Sequence, residues 1–165
     1  MSSFSFLIRN ATPDDQDDIL RLNDAVVEVT SPMDAANYRS IAEQTSLNIV
    51  AEIDGKIVGC LLALRDGTAY ENGNYAWFSE RYQNFIYIDR VIVDNQLRGS
   101  GIGRAFYTHV IDWAHDQQLP FIAAEISLNP PNPGSLRFHQ KLDFEEVGTR
   151  QLPHGKTVSM MLKKL

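Results

Sequence analysis

A strand-like run that empties into a glycine-spaced turn, and from there into a helix, constrains this chain more than any other feature. Phe85 to Val93 is aromatic and β-branched, the composition of a buried strand. Arg98-Gly99-Ser100-Gly101-Ile102-Gly103-Arg104 follows, and from Ile102 the apolar residues Ala105, Phe106, Val110 and Trp113 recur at helical spacing until Gln117-Gln118 and Pro120. Phe121 to Leu128 reads as a second strand. Strand, helix and strand in that order make a crossover, which predicts two parallel strands in one sheet.

The turn itself predicts an anion site. Small residues let backbone N–H groups at a helix N-terminus face a phosphate, and Arg98 and Arg104 flank the turn as candidate charge-assisted donors or as solvated surface charges. Two familiar phosphate loops do not fit. The NTPase loop needs Lys followed by Ser or Thr, where this chain has Arg104-Ala105. A dinucleotide fold places its fingerprint early in a series of crossovers, whereas here a hairpin precedes it.

That hairpin is Leu47 to Ile53 and Lys56 to Leu64 joined across Asp54-Gly55. Before it, Phe4 to Arg9 reads as a strand, Thr12-Pro13 as a helix cap and first turn, and Asp34 to Gln44 as a second short helix. Asp14, Asp15, Asp17 and Asp18 read as solvated acids at a helix N-terminus rather than as metal ligands. Arg65 to Asn84 carries Tyr70, Tyr75, Trp77, Phe78 and Tyr82 without clean periodicity, and is read as a long connection acting as a lid or as cover for the sheet. Asn132-Pro133 opens a short helix to about Leu142, and Phe144 to Arg150 and Lys156 to Leu162 are the last strands.

With 165 residues and no repeat or linker, the reading is a single domain spanning 1–165. A net charge of -6 argues against broad nucleic-acid or anionic-lipid binding. The lone Cys60 sits among apolar neighbours, which suits a buried strand thiol in a reducing compartment. The longest apolar run, Ile57 to Leu64, is too short for a bilayer, and the chain opens on no basic-then-apolar stretch, so the expected location is cytoplasmic, without membrane association.

Arg98-Gly99-Ser100-Gly101-Ile102-Gly103 resembles the acyl-CoA signature [Gln/Arg]-x-x-Gly-x-[Gly/Ala] of the GNAT superfamily of N-acetyltransferases, and Asn132 to His139 followed by Asp143-Phe144 is similar to a second element of that family. The resemblance is strongest from about Phe85 to Val147. It implies a GNAT-like α/β (α+β) fold, a mixed, twisted central sheet of about seven strands flanked by about four helices, with one parallel crossover carrying the loop. It also implies acetyl-CoA as co-substrate, no metal, and transfer to a primary amine of a small molecule, amino acid or peptide. Val91, Ile92 and Val93 would offer main-chain groups to the acyl and pantetheine arm, Arg98 to Arg104 would cradle the pyrophosphate, and Asn132, Ser135, Phe138 and His139 would line the arm. In the loop, that set is Arg98, Gly99, Ser100, Gly101, Ile102, Gly103 and Arg104. His139 stands where the family usually has a tyrosine, and Asp143 where glycine is common.

Acyl transfer to an amine needs a neutral nucleophile, donors for the oxyanion and a proton for the departing thiolate. An alkyl ammonium titrates near 10.4, so a base or a water relay is required at neutral pH. Asp89 and Glu125 are the candidate bases. Strict alternation would put Asp89, Val91 and Val93 on one face, unless a bulge intervenes. Glu125 alternatively forms a salt bridge with Arg90 or another base. His139 is a candidate proton donor, an orienting residue, or a packing histidine. The segments Arg21 to Asp34 and Tyr70 to Tyr82 are expected to border the acceptor. An acidic lining would select polyamines, and an inward Arg81 or Arg39 would select a carboxylate. A noncatalytic acyl-CoA-binding module on the same fold is the alternative function. The last strand is read as an exposed edge, compatible with a monomer or a homodimer.

Overall fold

The computed structural model describes residues 5–165. Its strands are β1 (Leu7–Asn10), β2 (Leu47–Ile53), β3 (Lys56–Arg65), β4 (Phe85–Val93), β5 (Phe121–Asn129), β6 (Glu145–Gln151) and β7 (Thr157–Lys164). Its α-helices are α1 (Gln16–Asp24), α2 (Ala35–Ala42), α3 (Gly73–Ser79), α4 (Ile102–Asp116) and α5 (Pro133–Lys141). The expected first strand begins at Phe4, which lies outside the described residues.

The seven strands form one sheet in the order β1-β2-β3-β4-β5-β7-β6, with β4 and β5 parallel and the other neighbours antiparallel. The parallel pair is the crossover expected around α4. One expectation fails: β7, the last strand, is not an edge but lies between β5 and β6, and the edge on that side is β6. The reason is hydrophobic. Val158, Met160, Met161 and Leu162 of β7 are all buried, whereas every second residue of β6 from Glu145 on is exposed.

Two layers of helices cover the sheet. On one face Ile102, Phe106, Tyr107, Val110 and Ala114 of α4 pack on Ile86, Ile88, Ile122 and Ala124, with Leu136 and Phe138 of α5 beside them. On the other, α1 and α2 cover Val50, Cys60, Leu62 and Ile92, while Tyr75 and Phe78 of α3 cover Leu64, Phe85, Tyr87 and Ala123. Each fully buried large apolar side chain contributes about 1.5–3 kcal/mol. Cys60 is fully buried in this layer, and desolvation pushes its thiol up to about 12.

The helix α3 was not expected. Asn72 caps it, accepting from the N–H groups of Asn74 and Tyr75, so the stretch read as a long connection contains a short helix whose aromatics pack as cover. Of the acidic run at the start of α1, Asp15 departs from the solvated reading: it is buried, accepts from the Thr12 N–H at 2.8 Å and pairs with Arg9 at 2.8 Å. The Asp54-Gly55 turn has positive φ at both residues, 50° and 80°, as a two-residue hairpin requires.

Candidate active site

The site begins where the sheet opens. β4 and β5 are paired only from Phe85↔Phe121 to Ile88↔Ala124, although β4 continues to Val93 and β5 to Asn129. Beyond that point the two strands diverge, leaving main-chain donors and acceptors on their facing edges without a ladder partner. Buried main-chain polar groups demand partners, so this gap suits an extended ligand bearing amides.

A bulge accompanies the divergence. Against β3, Leu62 is opposite Arg90 and Ala63 opposite Ile88, so Asp89 is the extra residue. Alternation therefore resets: Ile86 and Ile88, then Val91 and Val93, face α4, while Tyr87, then Arg90 and Ile92, face the other helices. Asp89 does not share the face of Val91 and Val93, and that expectation is corrected. Its carboxylate is buried on the α1–α3 side, accepting from the Tyr70 hydroxyl at 2.5 Å and from Arg90 Nε at 2.7 Å. Arg90 in turn donates to Asn23 Oδ1 at 2.7 Å and to the Ser31 carbonyl at 3.3 Å, which ties the bulge to the segment after α1.

Glu125 stands across the gap on the same face. It does not pair with Arg90; it accepts from the Tyr87 hydroxyl at 2.7 Å. Desolvation, opposed by Tyr87 and by the amide of Asn74 and reinforced by the charge of Asp89, holds Glu125 up at about 7 from an ordinary value near 4.5. A carboxylate poised there exchanges protons readily at neutral pH.

His139 lies on the α4 side, 2% exposed. Its Nδ1 bonds the Ser135 carbonyl at 2.7 Å, and because a carbonyl only accepts, Nδ1 carries the proton and Nε2 is an acceptor. Nε2 receives the hydroxyl of Tyr107, from the buried face of α4. Burial pushes the imidazole below its usual value, so it is neutral at pH 7, and burial raises the phenol, which stays protonated. Tyr107 was not singled out in the sequence. The available signal was a tyrosine one residue from Phe106 on an otherwise apolar helix stripe, where its hydroxyl needs a partner.

The loop before α4 is shaped for an anion. Gly99 and Gly101 adopt φ of 79° and 90°, where a Cβ would be strained, and Gly101 caps α4. The amides opening α4 have no intrahelical partner. Ser100 Oγ is buried without a partner. Gly103 lies against the Phe138 ring, 3.6 Å from where a Cβ would stand. Across the cleft, Asn132 caps α5 by accepting from the Ser135 N–H. Arg98 and Arg104 are exposed at the mouth.

These parts line one cleft of about 1380 Å³ that passes through the opened sheet. Val91, Ile92, Val93, the whole loop from Arg98 to Arg104, Asn132, Ser135, Phe138 and His139 border it, as do Asp89 and Glu125. Glu28 to Pro32 and Asn72 to Asn74 form its other wall, within the segments expected to border the acceptor. Arg39 and Arg81 do not line it; both are exposed, and Arg81 stacks 4.0 Å over Trp77. Of the other histidines, His109 and His115 are exposed, and His154 sits in the last turn with φ 65°. Among the described residues no helix is long and apolar enough to cross a membrane, and no group of three or more His, Cys, Asp or Glu is placed to hold a metal ion.

An open seven-stranded sheet, parted beside a glycine loop at a helix start, defines a protein of the N-acetyltransferase class. The chain belongs to the acetyltransferase (GNAT) family, whose sequence model matches residues 15–144. Its fold is similar to Ard1 from Thermoplasma volcanium, with a TM-score of 0.80, 16% identity and 97% of each chain covered. A ribosomal-protein-alanine N-acetyltransferase from Brucella melitensis is 25% identical, with a TM-score of 0.73 over 96% of this chain and 99% of that one. The acetyltransferase yncA from Salmonella typhimurium, described as putative and solved with its cofactor acetyl-CoA, is 19% identical with a TM-score of 0.72 over 98% and 94%. A search of curated proteins by sequence found no match.

Proposed function

We propose that this protein transfers an acetyl group from acetyl-CoA directly to the primary amine of a small molecule, amino acid or peptide. The observation that carries the reading is the single cleft joining the glycine loop, the parted edges of β4 and β5, and a carboxylate held near neutrality. The diphosphate rests on the N–H groups from Gly99 to Arg104, and the amides of the pantetheine arm extend the ladder along Val91 to Val93. Asn132, Ser135 and Phe138 flank that arm.

The thioester lies in the gap, with Tyr107 and His139 on one side and Glu125 on the other. Glu125 removes one proton from the ammonium, and the neutral nitrogen forms the new C–N bond and then gives up its second proton to cleft water. The C–S bond breaks with its electron pair on sulfur. Tyr107 turns its hydroxyl from His139 Nε2 to that sulfur and yields its proton, which cleft water restores; His139 orients it. Asp89, neutralised by Arg90, holds the bulge rather than the acceptor.

The noncatalytic alternative is favoured if His139 and both carboxylates stand remote from the thioester; that Asp89, Glu125 and His139 all border the cleft supports the catalytic reading. The test is calorimetry with acetyl-CoA, then free-thiol release over amines, amino acids and peptides with mass confirmation of the product. Uptake with no product on any acceptor favours the binding module, and no uptake by the folded protein refutes both readings.

A further inference from the structure

We infer that the acceptor is a free amino acid, recognised through its carboxylate by Arg150. This rests on the proposed acetyl transfer and names the substrate class of that site. Arg150 was not among the residues singled out from the sequence.

β6 reaches the cleft only through register. Gly148 is opposite Met160 and Arg150 opposite Val158 on β7, while Glu125 and Ser127 of β5 are opposite those same two residues. Side chains in one row share a face, so Arg150 and Glu125 both project toward α3. The Arg150 guanidinium lies against Gly73, and its Nη1 donates to Asn74 Oδ1. The amide of Asn74 also favours the charged form of Glu125. One side-chain amide thus separates a carboxylate base from a guanidinium at the cleft wall.

Among the described residues no carboxylate lies within 4.0 Å of Arg150, whereas Arg9 pairs with Asp15 and Glu52, Arg65 with Asp66, and Arg90 with Asp89. A half-buried guanidinium has a planar fork of donors, and here one neutral acceptor occupies part of it. The Arg150 side chain borders the cleft that also holds the proposed base, Glu125. An α-amino acid carries a carboxylate one carbon from its amine and completes both ends at once. A polyamine would set a second ammonium against Arg150 and Lys156, both on this wall. A peptide N-terminus would place a neutral amide where the charge is required. Arg98 and Arg104, which flank the start of α4, and Arg137, midway along α5, also border the cleft and are not needed for this role.

The test compares each of the twenty L-amino acids with its carboxamide, alongside peptides beginning with Asp or Glu, at saturating acetyl-CoA. The free acid is expected to show a kcat/KM at least tenfold above its amide, mainly through KM. Arg150→Gln should collapse that ratio to about one, and Arg150→Lys should keep part of it. A structural role for Arg150 would lower the melting temperature or acetyl-CoA affinity without changing the acid-to-amide ratio. Equal rates on acids and amides, an unchanged ratio in Arg150→Gln, or preference for the acidic peptides overturns the assignment while leaving acetyl transfer intact. Absence of acetyl-CoA uptake by the wild type would instead remove the reading beneath it, and the inference with it.

Discussion

Replacing Glu125 with Gln should make the protein more stable and nearly inactive, with the stability gain appearing only as the pH rises. The carboxyl titrates at about 7 in the folded chain and near 4.5 when solvated, so folding favours its neutral form. Below about pH 4.5 the group is neutral in both states and its full contribution is present; that contribution is lost progressively as the pH rises through about 7. The gap of roughly 2.5 pH units corresponds to about 3 kcal/mol at about 1.36 kcal/mol per unit, an upper value because the cleft admits water. Glutamine keeps an oxygen for the Tyr87 hydroxyl without the charge. For a chain of 165 residues, about 3 kcal/mol moves the melting temperature by about 6–12 °C. Thermal unfolding by circular dichroism at a series of values from about pH 5 to about pH 8.5 should show the two proteins nearly matched at the acid end, with the variant ahead at the alkaline end. Acetylation by the variant should fall by about 10²–10⁴-fold. A melting difference that does not change with pH, or full turnover in Glu125→Gln, would refute the argument.

Three further outcomes follow from the same geometry. Tyr107→Phe should leave His139 Nε2 unpaired at a cost of about 1–3 kcal/mol in urea unfolding, and lower kcat by about 10–100-fold with acetyl-CoA affinity retained; full kcat would remove Tyr107 from the transfer. Gly148→Ala places a Cβ 2.6 Å from the Trp77 ring and should cost about 1–3 kcal/mol with a change in tryptophan emission; an unshifted unfolding midpoint would show that α3 yields at no cost. Arg90→Met should destabilise by about 3–5 kcal/mol by stranding the Asp89 charge, and adding Asp89→Asn should recover part of the loss in a double-mutant cycle.

Local chemistry made much of the fold legible in advance. The Asp54-Gly55 hairpin, the crossover around α4 and the cap at Asn132 follow from residues adjacent in the chain, and each of these lies where those residues put it. What escaped depends on partners far away in sequence. The bulge at Asp89 is set by register against β3, and no property of Phe85 to Val93 alone announces it. The place of β7 depends on which of two late strands is more apolar, a comparison rather than a motif. Tyr107 looked like one more residue on a helix stripe until His139, 32 positions later, gave its hydroxyl a partner. Arg150 was unreadable for the same reason, since its meaning lies in Asn74, 76 positions earlier.

The insertion of β7 also orders the molecule's assembly. β6 has a single neighbour in the sheet, so residues 145–151 have nothing to zip onto until 157–164 have settled beside β5. The glycine loop and the parted strand ends proposed to hold the donor, by contrast, lie within the stretch from β4 to α5. Because Val158, Met160, Met161 and Leu162 are buried, loosening β7 would disturb the core and, with β6, the side of the cleft on which Arg150 sits.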